Sequence, residues 1–364
     1  MSGLGLHERE VRGSLSFPWA EPPQPGHTLE VAPGVLWLRM PLPFGLDHIN
    51  LYLLRHEHGW VVVDTGLNTP QSREVWETVF SEVFAGAPVL AVIVTHCHYD
   101  HSGLLGWLVD RFQCPAYMSF GEYQALFLTP PKGDKPDWAF SQFFRRCGLQ
   151  EEQVEAFRPM LSQMSYDIDA PTSFRRLREN DRLRIGGRCW QVVIGSGHSP
   201  EHVCLYSEDD QLLIAGDQIL PRITSSVCIT ATEPEANPLG DWLASLRRFR
   251  TLSDEVLVLP AHERPFHGLH HRLGQLQQHH DAHLEALVSA LESKAQTVAE
   301  LCPILFPRIR GSFDLLMAMG ETLAHINFLR DEGVLTRTLD GEAWRFSLSS
   351  SGGRTFVAAE DIHV

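Results

Sequence analysis

The run Thr95-His96-Cys97-His98-Tyr99-Asp100-His101-Ser102-Gly103 constrains this chain more than any other segment. It follows Val89-Leu90-Ala91-Val92-Ile93-Val94, an apolar, β-branched stretch that predicts a buried strand. A strand that stops in a loop dense in imidazole and carboxylate holds those groups rigidly and leaves the space beyond them open. Neutral imidazole and carboxylate suit a borderline divalent ion such as zinc. A polar turn that happens to be rich in histidine is the plainer reading, and three positions downstream argue against it. His198 in Gly197-His198-Ser199-Pro200, Asp217 in Gly216-Asp217-Gln218 and His262 in Pro260-Ala261-His262 each follow an apolar stretch. Any one of them alone is an ordinary structural residue. Together, four strand ends would deliver seven ligands, His96, His98, Asp100, His101, His198, Asp217 and His262, to one rim.

Other patterns supply the frame. Val35–Met40, Asn50–Leu54 and Trp60–Val63 read as strands, and Gln71–Phe84, entered through Thr69-Pro70, as a helix. Arg182–Ile185 and Cys189–Ile194 flank Gly186-Gly187, a hairpin signal. Residues 1–28, with Pro18, Pro22, Pro23 and Pro25, read as an irregular surface arm.

The ordered set of His-x-His-x-Asp-His, Gly-His-Ser-Pro, Gly-Asp and Pro-x-His, preceded by Val61-Val62-Val63-Asp64-Thr65-Gly66, resembles the metallo-β-lactamase superfamily in its glyoxalase II-like branch. The resemblance covers roughly residues 30 to 270. It implies an α/β fold, an αββα sandwich with two metal ions at one edge. By motif, His96, His98 and His198 would hold one ion, Asp100, His101 and His262 the other, and Asp217 would bridge them. Asp64 would anchor the ligand loop through hydrogen bonds. An aspartate at 217, where many true β-lactamases of the family carry cysteine or serine, argues against antibiotic hydrolysis. The short step from Asp217 to His262 leaves no room for the large domain of the nucleic-acid-processing branch, and His98 argues against the flavodiiron branch.

The catalytic domain is expected over 29–268, with a helical insert at about 121–172. The insert carries Trp138, Phe140, Phe143, Phe144 and Phe157, interleaved with Lys132, Lys135, Arg145 and Arg146. Its aromatics either pack the insert in place or wall a substrate pocket, with Phe143 and Phe144 as the candidate substrate contacts. Arg222, just beyond Asp217, would either bind a substrate carboxylate or phosphate or form a structural ion pair. Residues 269–364 form a C-terminal region. It opens on a helix with His270, His271, His279, His280 and His283, read as a solvated face rather than a second metal site. Helix, helix and hairpin then follow, an order that resembles a winged helix. From Leu284 to Leu348 nine acidic residues face six basic ones, which argues against a DNA-reading role. Its apolar stripe, Leu315, Leu316, Met319, Leu323 and Ile326, should pack against the sandwich or a second copy of the chain in a homodimer.

Net charge −15 repels a phosphate backbone and favours a small-molecule substrate over nucleic acid. Seven cysteines without a Cys-x-x-Cys pair predict reduced thiols in a cytoplasmic protein, and no window predicts a targeting segment or membrane span. The expected activity is hydrolysis of a small thioester, ester or lactone by hydroxide drawn from a water shared by two cations, zinc or alternatively iron or manganese. Asp100 would help carry the proton. The alternatives are an endoribonuclease acting on single-stranded RNA, a mononuclear-iron persulfide dioxygenase, and a non-catalytic binding protein. Intact ligands at all seven positions argue against the last.

Overall fold

The computed structural model describes residues 10–12, 15–128, 138–163 and 169–350. The chain divides into two compact units. The first takes residues up to 129, 165–225 and 242–276; the second takes 130–164, 226–241 and 277 onward.

In the first unit a seven-stranded sheet runs in chain order through Thr28–Ala32, Val35–Pro41, His48–His56, Gly59–Val63, Val89–Ile93, Ala116–Met118 and Arg175–Arg176. A five-stranded sheet takes Arg182–Ile185, Arg188–Gly195, His202–Ser207, Leu212–Gly216 and Leu257–Pro260. From Gly59–Val63 to Arg175–Arg176 the neighbours are parallel, as are the last two strands of the smaller sheet. Parallel neighbours need crossovers, and the helices Pro70–Thr78, Leu105–Phe112 and Pro238–Phe249 lie in them. Pro70–Thr78 starts where the sequence predicts: Thr69 accepts from the Ser72 N–H, and Pro70 opens the first turn.

Strand alternation explains the layering. Val35, Trp37, Tyr52, Leu54, Val61 and Val63 point into a core shared with Trp190, Val192, Val203, Leu205, Ile214 and Leu259 of the other sheet. Their neighbours Leu36, Leu38, Met40, Leu51, Leu53 and Val62 point the other way, against Val75, Trp76, Val79, Leu105 and Leu108 of the helices. A strand buried on both faces reads as a continuous apolar run, as these do. The result is a sandwich of two sheets with helices outside. Arg182–Ile185 and Arg188–Gly195 pair antiparallel through Gly186 and Gly187, whose φ values of 60° and 80° fit a two-residue turn that favours glycine.

The N-terminal arm differs from its sequence reading. Glu10–Arg12 and Leu15–Phe17 pair as strands, Leu15 and Phe17 are buried, and Ser16 bridges to His267. Phe17 lies 6.3 Å from Phe266, with Arg264 over its ring. The prolines cluster after Phe17, so they mark the stretch that follows the hairpin.

The second unit is built from the insert, the segment 226–241 and the C-terminal region. Lys132 and Lys135 lie outside the described residues. Helices Trp138–Arg146 and Glu151–Gln163 bury Phe140, Phe143, Phe144 and Phe157. The Phe144 ring sits 4.8 Å from Phe140, 4.9 Å from Phe143 and 4.8 Å from Phe157. The Ala299 N–H donates to the Cys147 carbonyl at 2.9 Å, and Arg146 lies over Trp344. Helices Val298–Leu305 and Ser312–Asp331 precede the hairpin Leu335–Asp340 and Ala343–Leu348, the predicted order. Within the C-terminal stripe Met319, Leu323 and Ile326 are buried, and the Ile229 N–H donates to Gly320 O from the segment 226–241. His280 is fully buried, so the histidine-rich helix is not a uniformly solvated face.

Because the Phe17 ring is enclosed, Phe17→Ala should cost about 3–5 kcal/mol of unfolding free energy in a denaturant titration. A loss under about 1 kcal/mol would mean that the hairpin is only loosely attached.

Candidate metal centre

The sequence-predicted ligands converge at strand ends of the first unit. Val89–Ile93 leads into His96 and His98, and a single turn, Tyr99–Ser102, then carries Asp100 and His101. That turn fits tightly because residue 103 is glycine: a Cβ there would lie 2.4 Å from Tyr99 O and 2.7 Å from Asn68 N. His198 follows Arg188–Gly195, Asp217 follows Leu212–Gly216, and His262 follows Leu257–Pro260.

The donors fall into two groups. Ligand atoms of His96, His98, His198 and Asp217 lie within 4.8 Å of one another, and so do those of Asp100, His101 and His262. Asp217 faces both groups. Its Oδ2 lies 3.4 Å from His198 Nε2 and 4.0 Å from His96 Nε2, while its Oδ1 lies 3.3 Å from His262 Nε2 and 3.5 Å from His101 Nε2. Two donors about 2.0–2.1 Å from a shared tetrahedral ion would stand about 3.3 Å apart, so these spacings fit ligation. His101 Nε2 and Asp217 Oδ1 are buried and lack a hydrogen-bond partner among the described residues. Such atoms are costly unless something else satisfies them. The donor set therefore fits two divalent cations.

The rings are aimed by what holds their far nitrogens. His101 Nδ1 donates to Asp64 Oδ2 at 2.8 Å, and His262 Nδ1 donates to the His48 carbonyl at 2.8 Å. Thr95 donates both N–H and Oγ1–H to Asp64, and its Oγ1 lies 3.1 Å from His96 Nδ1. In each ring this turns Nε2 toward the centre. Asp64 reaches this position from a left-handed backbone at φ 63°, which aspartate tolerates better than most residues.

Electrostatics sort the groups. Burial, and then neighbouring His101 and His98, pushes His96 well below the ordinary histidine range; burial and His198 push His98 down to about 3. For His101, burial pulls down but Asp100, Asp64 and Asp217 outweigh it, so its pKa is raised. For Asp217, burial pulls up but His262 and His101 outweigh it and hold the carboxyl well below its usual range. A cation entering beside His101 must therefore displace a proton.

Two supports were not legible in the sequence. Glu122 is fully buried and ties the ligand loops together: it accepts from Cys97 N at 2.9 Å, Ser199 Oγ at 2.7 Å and Glu201 N at 2.8 Å. His202 accepts from Asp217 N at 3.1 Å and stacks on His96 at 4.7 Å. Cys97 packs against the apolar core between sheet and helices. Arg222 is half-exposed, 3.7 Å from Glu263, the residue after the candidate ligand His262. The Phe143 and Phe144 rings are buried among aromatics of the second unit, the packing role anticipated for the insert.

Glu122→Gln sets an amide NH2 against at least one of the two backbone N–H groups. We expect metal affinity to fall about 10–100-fold in a competitive chelator titration while unfolding stays cooperative. Unchanged affinity would mean that the strap does not position the ligands.

The comparisons agree with this geometry. Residues 44–262 match the family model of the metallo-beta-lactamase superfamily, and residues 284–349 match that of the metallo-beta-lactamase-like C-terminal domain. The chain is similar to a beta-lactamase domain protein from Burkholderia ambifaria of known crystal structure, at 43% identity and TM-score 0.85, covering 92% of this chain and 98% of that one. It is 24% identical over 319 residues to the probable metallo-hydrolase YqjP of Bacillus subtilis, covering 86% of this chain and 97% of the relative. It is 26% identical over 261 residues to the human acyl-coenzyme A thioesterase MBLAC2, covering 64% of this chain and 79% of that protein. With the family model spanning more than half of the chain and a dinuclear donor set at its strand ends, the chain belongs to the metallo-β-lactamase superfamily.

Proposed function

We propose that this protein is a dinuclear metal hydrolase that cleaves the acyl bond of a small thioester, ester or lactone, with coenzyme A and glutathione thioesters first. The observation that carries the reading is the division of the Asp217 carboxylate, one oxygen toward each ligand group. Two divalent ions bound there would supply hydroxide at neutral pH, by lowering the pKa of water, and would stabilise charge on a carbonyl oxygen. His96, His98 and His198 would hold one ion, Asp100, His101 and His262 the other.

The chain's own groups do the rest. Asp100 Oδ2 lies 3.6 Å from His262 Nε2 and 3.8 Å from His101 Nε2, and its side chain is 21% exposed against 11% for Asp217. It is thus the carboxylate better placed to accept a proton and pass it to a leaving thiolate or alkoxide. Burial of His96, His101 and His262 keeps bulk water from competing for them. Arg222, beside the loop that bears His262, offers a cation to an anionic substrate group, and Glu263 competes for it. The human relative's name as an acyl-coenzyme A thioesterase supports placing thioesters first.

A panel of acyl thioesters, lactones and single-stranded RNA tests the reading. Thioester or lactone turnover should dominate and vanish with Asp217→Ala. If Arg222 binds an anionic substrate, Arg222→Ala should raise KM about tenfold with kcat unchanged, the mark of a binding contact. RNA cleavage alone, or oxygen uptake with a persulfide and a single bound iron, would replace this reading with nuclease or dioxygenase chemistry.

A further inference from the structure

A second set of ligand-type side chains lies in the second unit. His279 and His283 sit one turn apart on the helix Leu269–Leu291, their ring centroids 4.3 Å apart. The helix Ser312–Asp331 brings Glu321 to the same place. One donor atom from each of His279, His283 and Glu321 lies within 4.8 Å of the others. We propose that these three side chains form an additional binding site for a borderline divalent cation such as zinc, a clamp between the two helices.

Three independent features support it. Glu321 is only 9% exposed, so its carboxylate charge is costly there unless it is paired. No Lys or Arg compensates that charge among the described residues, and a cation would. His283 Nδ1 is buried without a hydrogen-bond partner among the described residues.

The third feature is the layer behind the site. His325 lies one turn after Glu321, and its Nδ1 sits 2.8 Å from the Glu321 carbonyl. A carbonyl only accepts, so Nδ1 carries the proton and Nε2 carries the lone pair. His280 Nδ1, 3.1 Å from that Nε2, must then donate. The His280–His325 pair thus links the two helices and fixes the backbone that presents Glu321. Two imidazoles and one carboxylate, with a fourth position left for water, suit zinc, cobalt or nickel better than magnesium or calcium.

The test is zinc content of the full, tag-free chain after equilibration with zinc and removal of loose metal. We expect one equivalent more per chain in the wild type than in Glu321→Gln or His283→Ala. Cobalt substitution should show an absorption band that these variants lose. Zinc should also raise the melting temperature of the wild type more than that of either variant. Glu321→Gln keeps the shape of the side chain, so it decides the matter if His283→Ala folds poorly. Equal zinc content and equal cobalt spectra in wild type and Glu321→Gln would overturn the proposal. Because the readout is a difference between wild type and variant, it is separate from how many ions the Asp217 centre holds.

Discussion

The Asp217 carboxylate, buried between imidazoles from both ligand groups, is the constraint around which the first unit is arranged. An isolated charge in that position would carry a desolvation cost that folding cannot meet. The cost is tolerable because the strand ends converge on it, and convergence in turn requires two sheets of fixed register. Slipping the strand Leu212–Gly216 by one residue would exchange its two buried faces and carry Asp217 away from His198 and His262.

Precision comes from the layer behind the ligands. Asp64 holds Thr95 and His101, the His48 carbonyl holds His262, and Glu122 holds the two loops that bear His96, His98 and His198. Each support fixes a ring's tautomer or a loop's path. Asn50 and Tyr52, on a strand of the seven-stranded sheet, add hydrogen bonds to the backbone carbonyls of Pro260 and Glu263, which flank His262 at the end of a strand of the other sheet. The chemistry is thus placed by backbone groups and by side chains that never face the centre.

The candidate ligands that the structure groups together were legible in the sequence because they occupy short runs whose spacing carries their meaning. The two-sheet core was legible for a similar reason: apolar runs such as Leu51–Leu54 and Val61–Val63 report burial on both faces. Glu122 was not legible. Ser119-Phe120-Gly121-Glu122 matches a helix capping box, and Ser119 does cap, but the Glu122 carboxylate goes to loops far along the chain. The partnership of insert and C-terminal helices was likewise hidden, since nothing local in Phe140–Phe144 names the surface it meets. Phe17 was hidden by the prolines that follow it. Long-range contacts leave no periodicity to read.

The Asp217 carboxylate is placed to serve two cations, one through each oxygen. Anomalous diffraction from crystals of the metal-loaded protein tests it directly. Two peaks should flank Asp217 in the first unit, one among His96, His98 and His198 and one among Asp100, His101 and His262. A single peak in the first unit at full loading, or two peaks that leave Asp217 in contact with only one, would contradict it.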